Sequence, residues 1–267
     1  MGKELQGEVA IITGAGRGIG RAIAERFAAA GAAVTLTSRT ESQLVETLTG
    51  IERAGGRGLA VAGDITKKED VARVVQASEE RFGPTMLLVN NAGVPGPFGP
   101  IGSMDPDEWW ASQAVHIFAP FLFISAVLPG MIARGGGRIL SISSPRCHML
   151  TPNLSAYSLG KTGQNRLTEF VAAESGSHGV KALSLDPGSI MTDMADITMK
   201  SPDAQRWVPG MVDRLHQLKG VQVPGDGMDW CLARCMAFAT GRYDALSGRY
   251  IDRTDDPEMM LQTVSAG

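Results

Sequence analysis

Seven short apolar runs, separated by segments with helical periodicity, constrain the fold of this chain more than any other feature of its sequence. Each run has the length of a strand, and most of the segments between them repeat apolar residues at helical spacing. The expected strands cover residues 8–12, 32–37, 58–62, 86–89, 138–144, 180–185 and 246–251. Strands that alternate with helices predict one doubly wound parallel sheet, and therefore a fold of the α/β class.

Composition indicates a small-molecule partner. The 267 residues, 43% hydrophobic and 20% charged, are typical of one large globular domain over residues 1–267. The 25 basic and 28 acidic residues give a net charge of -3 without a basic block, which argues against nucleic acid or an anionic membrane as partner. No apolar run of about 18 residues occurs, and residues 1–8 lack the apolar core of a signal peptide, so a cytoplasmic location is expected. The three cysteines and four histidines lack ligand spacing, so neither a disulfide nor a metal is expected.

A glycine-rich turn follows the first strand and opens the first helix. Residues 13–20 read TGAGRGIG. Glycines permit a tight turn that brings backbone N–H groups to an anion at the helix N-terminus, so we expect this turn to bind a cofactor phosphate. The contacts would come from Gly14, Arg17, Gly18, Ile19 and Gly20. The spacing G-x-x-x-G-x-G differs from the G-x-G-x-x-G dinucleotide fingerprint, so the turn alone is weak evidence for a nucleotide.

The end of the second strand favours NADP over NAD. Ser38 and Arg39 stand where an acidic residue would hold the ribose 2′-hydroxyl of NAD, and an arginine suits a 2′-phosphate instead. Arg17 could supply a second positive charge. The alternative is that Arg39 only solvates a loop. Asp64 and Ile65 end the third strand at the same sheet edge, where Asp64 either contacts the adenine or caps the helix that starts near residue 67.

Tyr157 and Lys161 are the candidate acid-base pair, in the segment SAYSLGK of residues 155–161. Four residues apart on a helix, they share a face, and a neighbouring ammonium favours the phenolate and lowers the phenol pKa from about 10. Tyr157 could then exchange a proton near neutral pH. Taken alone, the spacing Y-x-x-x-K is more simply explained by a surface lysine packed over a half-buried tyrosine.

Apolar residues indicate where a bulky, apolar substrate would bind. Residues 105–134 form an apolar helix, expected to be buried or at an interface. Residues 189–225, which contain four methionines and Trp207, suggest a short-helical lid over an apolar pocket, or else a satellite core. The expected pocket residues are Val94, Pro95, His148, Met191, Met194 and Trp207. The tail from Asp255 is polar and is expected to be mobile.

With these motifs together, the sequence resembles the short-chain dehydrogenase/reductase family in its single-domain, Rossmann-type form, over nearly the whole chain. The motifs that carry the resemblance are residues 13–20, Asp64, residues 90–93, Ser144, the Tyr157/Lys161 pair, and Pro187-Gly188 followed by Thr192. The resemblance implies an NADP(H)-dependent carbonyl reductase or alcohol dehydrogenase that transfers a hydride between the nicotinamide and a carbonyl or alcohol carbon. Such proteins are often dimers or tetramers, for which helices 105–134 and 155–177 could provide the contacts.

The resemblance also implies residue roles. Tyr157 would be the general acid-base, Ser144 would hydrogen-bond the substrate oxygen, and Lys161 would bind the nicotinamide ribose and lower the Tyr157 pKa. The further cofactor contacts would be Asn91, Ala92, Gly93, Pro187, Gly188, Ile190 and Thr192.

His116 departs from the family pattern. It stands where the family places an asparagine that holds a water of the proton relay. A histidine could take over through a ring nitrogen, or it could be a satisfied core residue. The substitution leaves open an alternative function, a nucleotide-binding sensor or scaffold on the same fold.

Overall fold

The computed structural model describes residues 3–221 and 227–265, in which strands and helices alternate along the chain. The strands are β1 (Val9–Thr13), β2 (Ala33–Ser38), β3 (Arg57–Ala62), β4 (Leu87–Asn90), β5 (Gly137–Ile142), β6 (Val180–Leu185) and β7 (Tyr250–Ile251). The helices are α1 (Gly18–Ala29), α2 (Glu41–Arg53), α3 (Lys68–Phe82), α4 (Pro106–Gln113), α5 (Ala119–Ala133), α6 (Ser155–Ser175), α7 (Asp193–Lys200), α8 (Pro202–Trp207), α9 (Pro209–Leu218), α10 (Met228–Ala239) and α11 (Pro257–Ser265).

The seven strands form one parallel sheet in the order β3-β2-β1-β4-β5-β6-β7. The chain moves outward from β1 to β3, then crosses back to place β4 on the other side of β1. Such a reversal leaves a crevice at the carboxyl ends of the two central strands, where open α/β sheets bind ligands. The prediction of a single doubly wound, Rossmann-type α/β domain is confirmed.

Two apolar layers cover the sheet, because successive side chains of a strand point to opposite faces. Ile12 packs with α1 and α10 residues in one layer, whereas Ile11 packs with α3 and α5 residues in the other. The same division holds in β4, where Val89 and Leu88 belong to opposite layers. Helices on both faces explain why the central strands are apolar without alternation.

One helical stretch crosses the domain between β4 and β5. It consists of α4, a π-helical turn at Ala114–Phe118, and α5. Within the described part of the chain, Pro106–Ala133 is long and apolar enough to cross a membrane by length and composition, contrary to the expectation that no apolar run of about 18 residues occurs. Its inner face packs in the core, with Phe123 fully buried, whereas Phe118 and Phe121 on the outer face are nearly half exposed.

Two predictions near the C-terminus are wrong. The expected strand over residues 246–251 is reduced to Tyr250–Ile251, because a 3-10 turn at Asp244–Leu246 and a turn at Gly248, with a φ of +85°, precede it. The tail expected to be mobile forms α11, in which Met260 and Leu261 pack against the core. The Asp256 carboxylate accepts a hydrogen bond from the Glu258 backbone N–H at the start of this helix.

Candidate active site

The carboxyl ends of the strands open into one groove with a cavity volume of about 660 Å³. The sheet order puts the ends of β3, β2, β1, β4, β5 and β6 in one row, and residues at or just after these strand ends line the groove. From one end to the other they include Asp64, Ser38, Gly14, Asn91, Ser144 and Asp186. The crevice at the reversal of strand order is thus part of an extended small-molecule site.

The glycine turn forms a cradle at the start of α1. Gly14 and Gly18 have positive φ values of +66° and +56°, which glycine adopts without steric cost. At Gly20, a Cβ would lie 2.4 Å from the Asn91 side-chain nitrogen and from the Gly14 carbonyl oxygen. Arg17 is the N-cap residue of α1 but makes no side-chain capping hydrogen bond, so first-turn N–H groups remain available to an anion. The turn therefore fits a phosphate-bearing cofactor.

Two arginines flank this cradle and differ in their partners. Arg17 Nη1 lies 2.8 Å from Oδ2 of Asp193, the first residue of α7, and both side chains are about half exposed. Since both residues line the groove, their ion pair joins two of its walls. The Arg39 side chain is exposed at the groove and has no ion pair or hydrogen bond with residues 3–221 or 227–265.

Asp64 closes the turn before α3 and does not cap that helix. Its Oδ1 accepts hydrogen bonds from the backbone N–H and the hydroxyl of Thr66, at 3.0 and 2.8 Å. The N-cap residue of α3 is Lys67, which makes no side-chain capping bond. Asp64 and Ile65 both line the groove, so the structure supports the alternative in which Asp64 faces a ligand.

Asn91 ties the ends of β1 and β4 together. Its side-chain amide donates to the carbonyl oxygens of Thr13 and Gly14, at 2.8 and 3.3 Å. The Thr13 hydroxyl in turn accepts from the backbone N–H groups of Asn91 and Ala92. These bonds fix the backbone where Asn91, Ala92 and Gly93 line the groove.

Ser144, Tyr157 and Lys161 line the same groove, Ser144 after β5 and the other two on α6. The Lys161 ammonium lies 6.0 Å from the centre of the Tyr157 ring. It is almost fully buried, and it donates to the Ile142 carbonyl oxygen at 2.7 Å and to Gln164 Oε1 at 3.1 Å. The structure thus brings the three side chains together at the end of β5.

Burial dominates the electrostatics of this group. Burial raises the pKa of Tyr157; hydrogen bonding to the Ser144 hydroxyl lowers it in part, and the negative charge of Asp186 raises it further. Burial also lowers the pKa of Lys161 to about 7, which weakens its positive charge near neutral pH. The pKa of Tyr157 is therefore raised and not lowered as expected, because burial is the largest of the effects on it and Lys161 is not among them.

His116 lies fully buried in the π-helical turn, against Tyr157. The two ring centres are 5.3 Å apart with the rings nearly perpendicular. His116 Nε2 lies 2.9 Å from the Val94 carbonyl oxygen, and Nδ1 has no hydrogen-bond partner among the described residues. Burial lowers the pKa of His116 to about 3, with the charge of Lys161 adding to the effect. His116 is therefore a neutral residue that links the loop after β4 to α6.

The expected pocket residues fall into two groups. Val94, Pro95 and Met194 line the groove. His148, Met191 and Trp207 are not among its lining residues: His148 packs edge-on against Tyr250, and Trp207 lies against Gly99 and accepts a hydrogen bond from Asn153 at its carbonyl.

The expected lid contains α7, α8 and α9, and residues 222–225 lie outside the described residues. Ala204, Val208 and Val212 of this segment form a small apolar cluster with Phe98 and Met211 packed against it. Met194 and Ile197 of α7 face the groove. The segment thus combines a satellite core with one helix that borders the groove.

Sequence reasoning did not single out three charged residues of the groove, Asp186, Asp193 and Arg253. Asp186 directly follows β6, so the rule that strand ends meet at one edge could have found it. Asp193 and Arg253 carry no such signal, because their partners Arg17 and Ser189 are distant in the chain.

An anion cradle at the reversal of strand order, with a tyrosine, a serine and a buried lysine farther along the same groove, defines a nucleotide-dependent oxidoreductase of the α/β class. A family model described as short chain dehydrogenase matches residues 8–202. A short chain dehydrogenase of Pseudocercospora fijiensis is 32% identical over 263 residues, covering 97% of this chain and 84% of that protein. The chain belongs to the short-chain dehydrogenase/reductase family, whose members bind nicotinamide cofactors.

Solved structures agree in fold and differ in cofactor. A 7α-hydroxysteroid dehydrogenase with NADH and 7-oxo glycochenodeoxycholic acid is 26% identical, with a TM-score of 0.81 and 94% of each chain covered. A gluconate 5-dehydrogenase of Burkholderia cenocepacia with NADP and tartrate is also 26% identical, with a TM-score of 0.81 and 97% of each chain covered.

Proposed function

We propose that this protein is an NADP(H)-dependent carbonyl reductase or alcohol dehydrogenase that acts on an apolar, fairly bulky small molecule. The observation that carries the proposal is the convergence of Ser144, Tyr157 and Lys161 on the same groove as the glycine cradle. A phenol and a hydroxyl at one point of a nucleotide groove suit proton transfer to a carbonyl oxygen that is being reduced.

In this mechanism, the Tyr157 phenol gives a proton to the substrate oxygen during reduction and takes it back during oxidation. The Ser144 hydroxyl hydrogen-bonds the same oxygen and orients it. Lys161 is held by the Ile142 carbonyl, close to Tyr157, and contributes a positive charge that favours the phenolate when Tyr157 has lost its proton. The bound nicotinamide supplies or accepts the hydride.

The direct test measures turnover with NADPH on a panel of ketones and aldehydes. We expect Tyr157→Phe to lower kcat by about a hundredfold or more, because general acid catalysis contributes on that scale. Tyr243→Phe is the matched control, since Tyr243 is a buried tyrosine that does not line the groove. Unchanged activity in Tyr157→Phe, or no turnover of any substrate by the wild type, would refute the proposal.

The preference for NADP rests on Arg39. Its guanidinium lies at the groove without a partner among the described residues, and an arginine pairs well with phosphate oxygens. We expect Arg39→Asp to shift the ratio of kcat/KM for NADPH and NADH towards NADH. The control is Arg57→Asp, an exposed arginine at the start of β3 that does not line the groove. An unchanged ratio in Arg39→Asp would show that Arg39 is not the 2′-phosphate partner.

The preference for a bulky, apolar substrate rests on Val94, Pro95, Met194 and Ile197, which line the groove. The 7α-hydroxysteroid dehydrogenase that shares this fold has a large alicyclic ligand, whereas the gluconate 5-dehydrogenase has tartrate. We expect aromatic and alicyclic ketones to outperform small polar ones in the panel. The reverse order would contradict this part of the proposal.

The second candidate function, a nucleotide-binding sensor or scaffold, is favoured by His116 alone. A buried imidazole with a pKa of about 3 does not titrate near neutral pH, and it stands where the family pattern has a relay asparagine. Tight NADPH binding without turnover, even in His116→Asn, would support this candidate. Ordinary turnover by the wild type would dismiss it.

We also propose that the protein is a homo-oligomer that buries the outer face of α4 to α6. Trp110, Phe118, Phe121, Leu159 and Phe170 are all between 46% and 68% exposed on these helices and the π-helical turn between them. Exposed apolar clusters of this kind mark association surfaces. The expected cytoplasmic location stays a prediction, which cell fractionation would test.

The oligomer is tested by light scattering coupled to gel filtration. Phe118→Glu combined with Phe121→Glu should yield monomers or smaller assemblies. Val45→Glu, a substitution of an exposed residue on α2, is the control and should leave the mass unchanged. A monomeric wild type would overturn the proposal.

A further inference from the structure

The groove contains a buried carboxylate at the carboxyl end of β6. Asp186 is 2% exposed and is among the lining residues. Its backbone N–H donates to the Ile251 carbonyl oxygen at 2.9 Å, and its Oδ1 accepts from the Gly188 backbone N–H at 3.0 Å. Oδ2 has no hydrogen-bond partner of normal geometry in the described part of the chain. Gly188 thus holds one oxygen, and a further donor near the carboxylate is the Arg253 backbone N–H, which lowers its pKa in part but does not neutralise its charge.

No ion pair neutralises this carboxylate among the residues that the structure describes. The cation that acts on it most is Arg253, but the guanidinium of Arg253 donates to the Ser189 hydroxyl at 2.6 Å. Asp252, one position earlier, adds a second negative charge. Burial raises the pKa of Asp186, the expected response of a carboxyl group removed from water without a salt-bridge partner. An unpaired buried charge is costly, so its presence in a ligand groove suggests a ligand with the opposite charge.

The position of Asp186 identifies which part of the ligand it meets, on the premise of the proposed function. β6 is the neighbour of β5, whose end carries Ser144, and it lies at the opposite end of the row from Asp64. The charge of Asp186 acts on Tyr157, the proposed proton donor. The hydride must be exchanged beside Tyr157, so the nicotinamide end of the cofactor belongs beside Asp186 and the adenine end beside Asp64.

We infer that Asp186 stabilises the oxidised, positively charged nicotinamide over the reduced, neutral ring, and thereby favours transfer of the hydride from the cofactor to the carbonyl. In that reaction a hydride, with its two electrons, leaves the reduced nicotinamide and forms the new C–H bond at the carbonyl carbon. The carbonyl π bond breaks, its electrons go to the oxygen, and the oxygen takes the proton of Tyr157. The nicotinamide gains one positive charge, and a nearby carboxylate lowers the free energy of that charge.

A second effect of Asp186 has the opposite direction. Its negative charge raises the pKa of Tyr157 and so disfavours the phenolate that remains after the proton has gone to the substrate. Cofactor binding measured without substrate separates the two effects, because Tyr157 then keeps its proton and only the charge of the nicotinamide differs.

The test compares binding of NADP+ and NADPH to the wild type and to Asp186→Asn, which keeps the shape of the side chain and removes its charge. Kd values from calorimetry or fluorescence titration give the ratio of oxidised to reduced affinity without any turnover. We expect Asp186→Asn to weaken NADP+ relative to NADPH by about three- to tenfold, the scale on which one charge acts in a partly buried site. Asp186→Glu, which restores the charge, should recover much of the ratio.

Asp64→Asn is the matched control, because it removes a carboxylate from the far end of the same groove. The adenine end has the same charge in both forms of the cofactor, so this variant should change both Kd values by the same factor. A ratio that is unchanged in Asp186→Asn, or that moves equally in both variants, would overturn the inference. If the wild type binds neither NADP+ nor NADPH, both the proposed function and this inference are wrong. If the wild type binds both forms and the ratio is unchanged in Asp186→Asn, only the inference is wrong. Should Asp186→Asn not fold, the ratio in Asp186→Ser decides by the same criterion.

Discussion

Replacing Asp193 by asparagine should strengthen binding of NADPH more than binding of NADH. In the structure the Asp193 carboxylate holds the guanidinium of Arg17, the arginine at the glycine cradle, at 2.8 Å. If Arg17 supplies the second charge for the 2′-phosphate, protein carboxylate and cofactor phosphate compete for one guanidinium. Asp193→Asn removes the competitor and also removes a negative charge from the wall of the groove.

The magnitude follows from the exposure of the pair. The side chains of Arg17 and Asp193 are 51% and 56% exposed, so their ion pair contributes no more than about 1 kcal/mol. Releasing Arg17 should therefore lower the Kd of NADPH by at most about fivefold, with a smaller change for NADH, which lacks the 2′-phosphate. The gain in NADPH affinity from Asp193→Asn should be smaller in about 1 M salt, where charges are screened within a few ångströms.

Fluorescence titration of both cofactors at low and high salt measures these changes. Glu46→Gln is the matched control, because Glu46 forms an exposed ion pair with Arg21 at 2.7 Å but does not line the groove. Equal strengthening for NADPH and NADH, or none for either, would show that Arg17 does not serve the 2′-phosphate.

Burial and packing support three further outcomes. Burial lowers the pKa of Lys161 to about 7 from an ordinary 10.5, so between these pH values the unfolded state binds more protons than the folded state. The free energy of unfolding should therefore rise with pH in this range. Urea titrations should show a smaller rise for Lys161→Met than for the wild type. Phe123→Ala, at a fully buried position, should lower the free energy of unfolding by about 3–5 kcal/mol, and a loss below about 1 kcal/mol would contradict the packing. Gly20→Ala should raise the Kd of NADPH by about tenfold or more, because its Cβ would collide with Gly14, whereas Gly50→Ala, with only ordinary contact at 3.6 Å, should leave it unchanged.

The sequence predicts most of the fold because its signals are local. The expected strand over residues 180–185 matches β6 in full, and the expected strands over residues 8–12 and 58–62 lie within one residue of β1 and β3. The prediction fails at β7, where Gly248 turns the chain, and at α11, where Met260 and Leu261 find their partners only in the folded core. Contacts that depend on residues far away in the chain leave no local pattern.

The site is predictable to the extent that strand ends share one edge. That rule brings Ser144, Asp64 and Asn91 to the groove. It does not reveal that Arg17 is paired with Asp193, nor that burial raises the Tyr157 pKa against the effect expected of Lys161. Ion pairing and desolvation depend on the distances between side chains and on their burial in the folded protein, and the local sequence predicts neither.

The imidazole in the π-helical turn is enclosed by two glycines from other elements. A Cβ at Gly93 would stand 3.0 Å from His116 Cε1, and one at Gly160 only 2.7 Å from its Cβ. The side chains at positions 93, 116 and 160 therefore occupy the same small space, and a larger side chain at one position requires a smaller one at another or a shift of the backbone. A methyl group at Gly93 becomes admissible only after the ring has been exchanged for a smaller side chain, whereas one at Gly160 meets a Cβ atom that every residue except glycine has at position 116. Evolution or design can therefore alter Gly93 only after His116, and Gly160 only with a shift of the backbone.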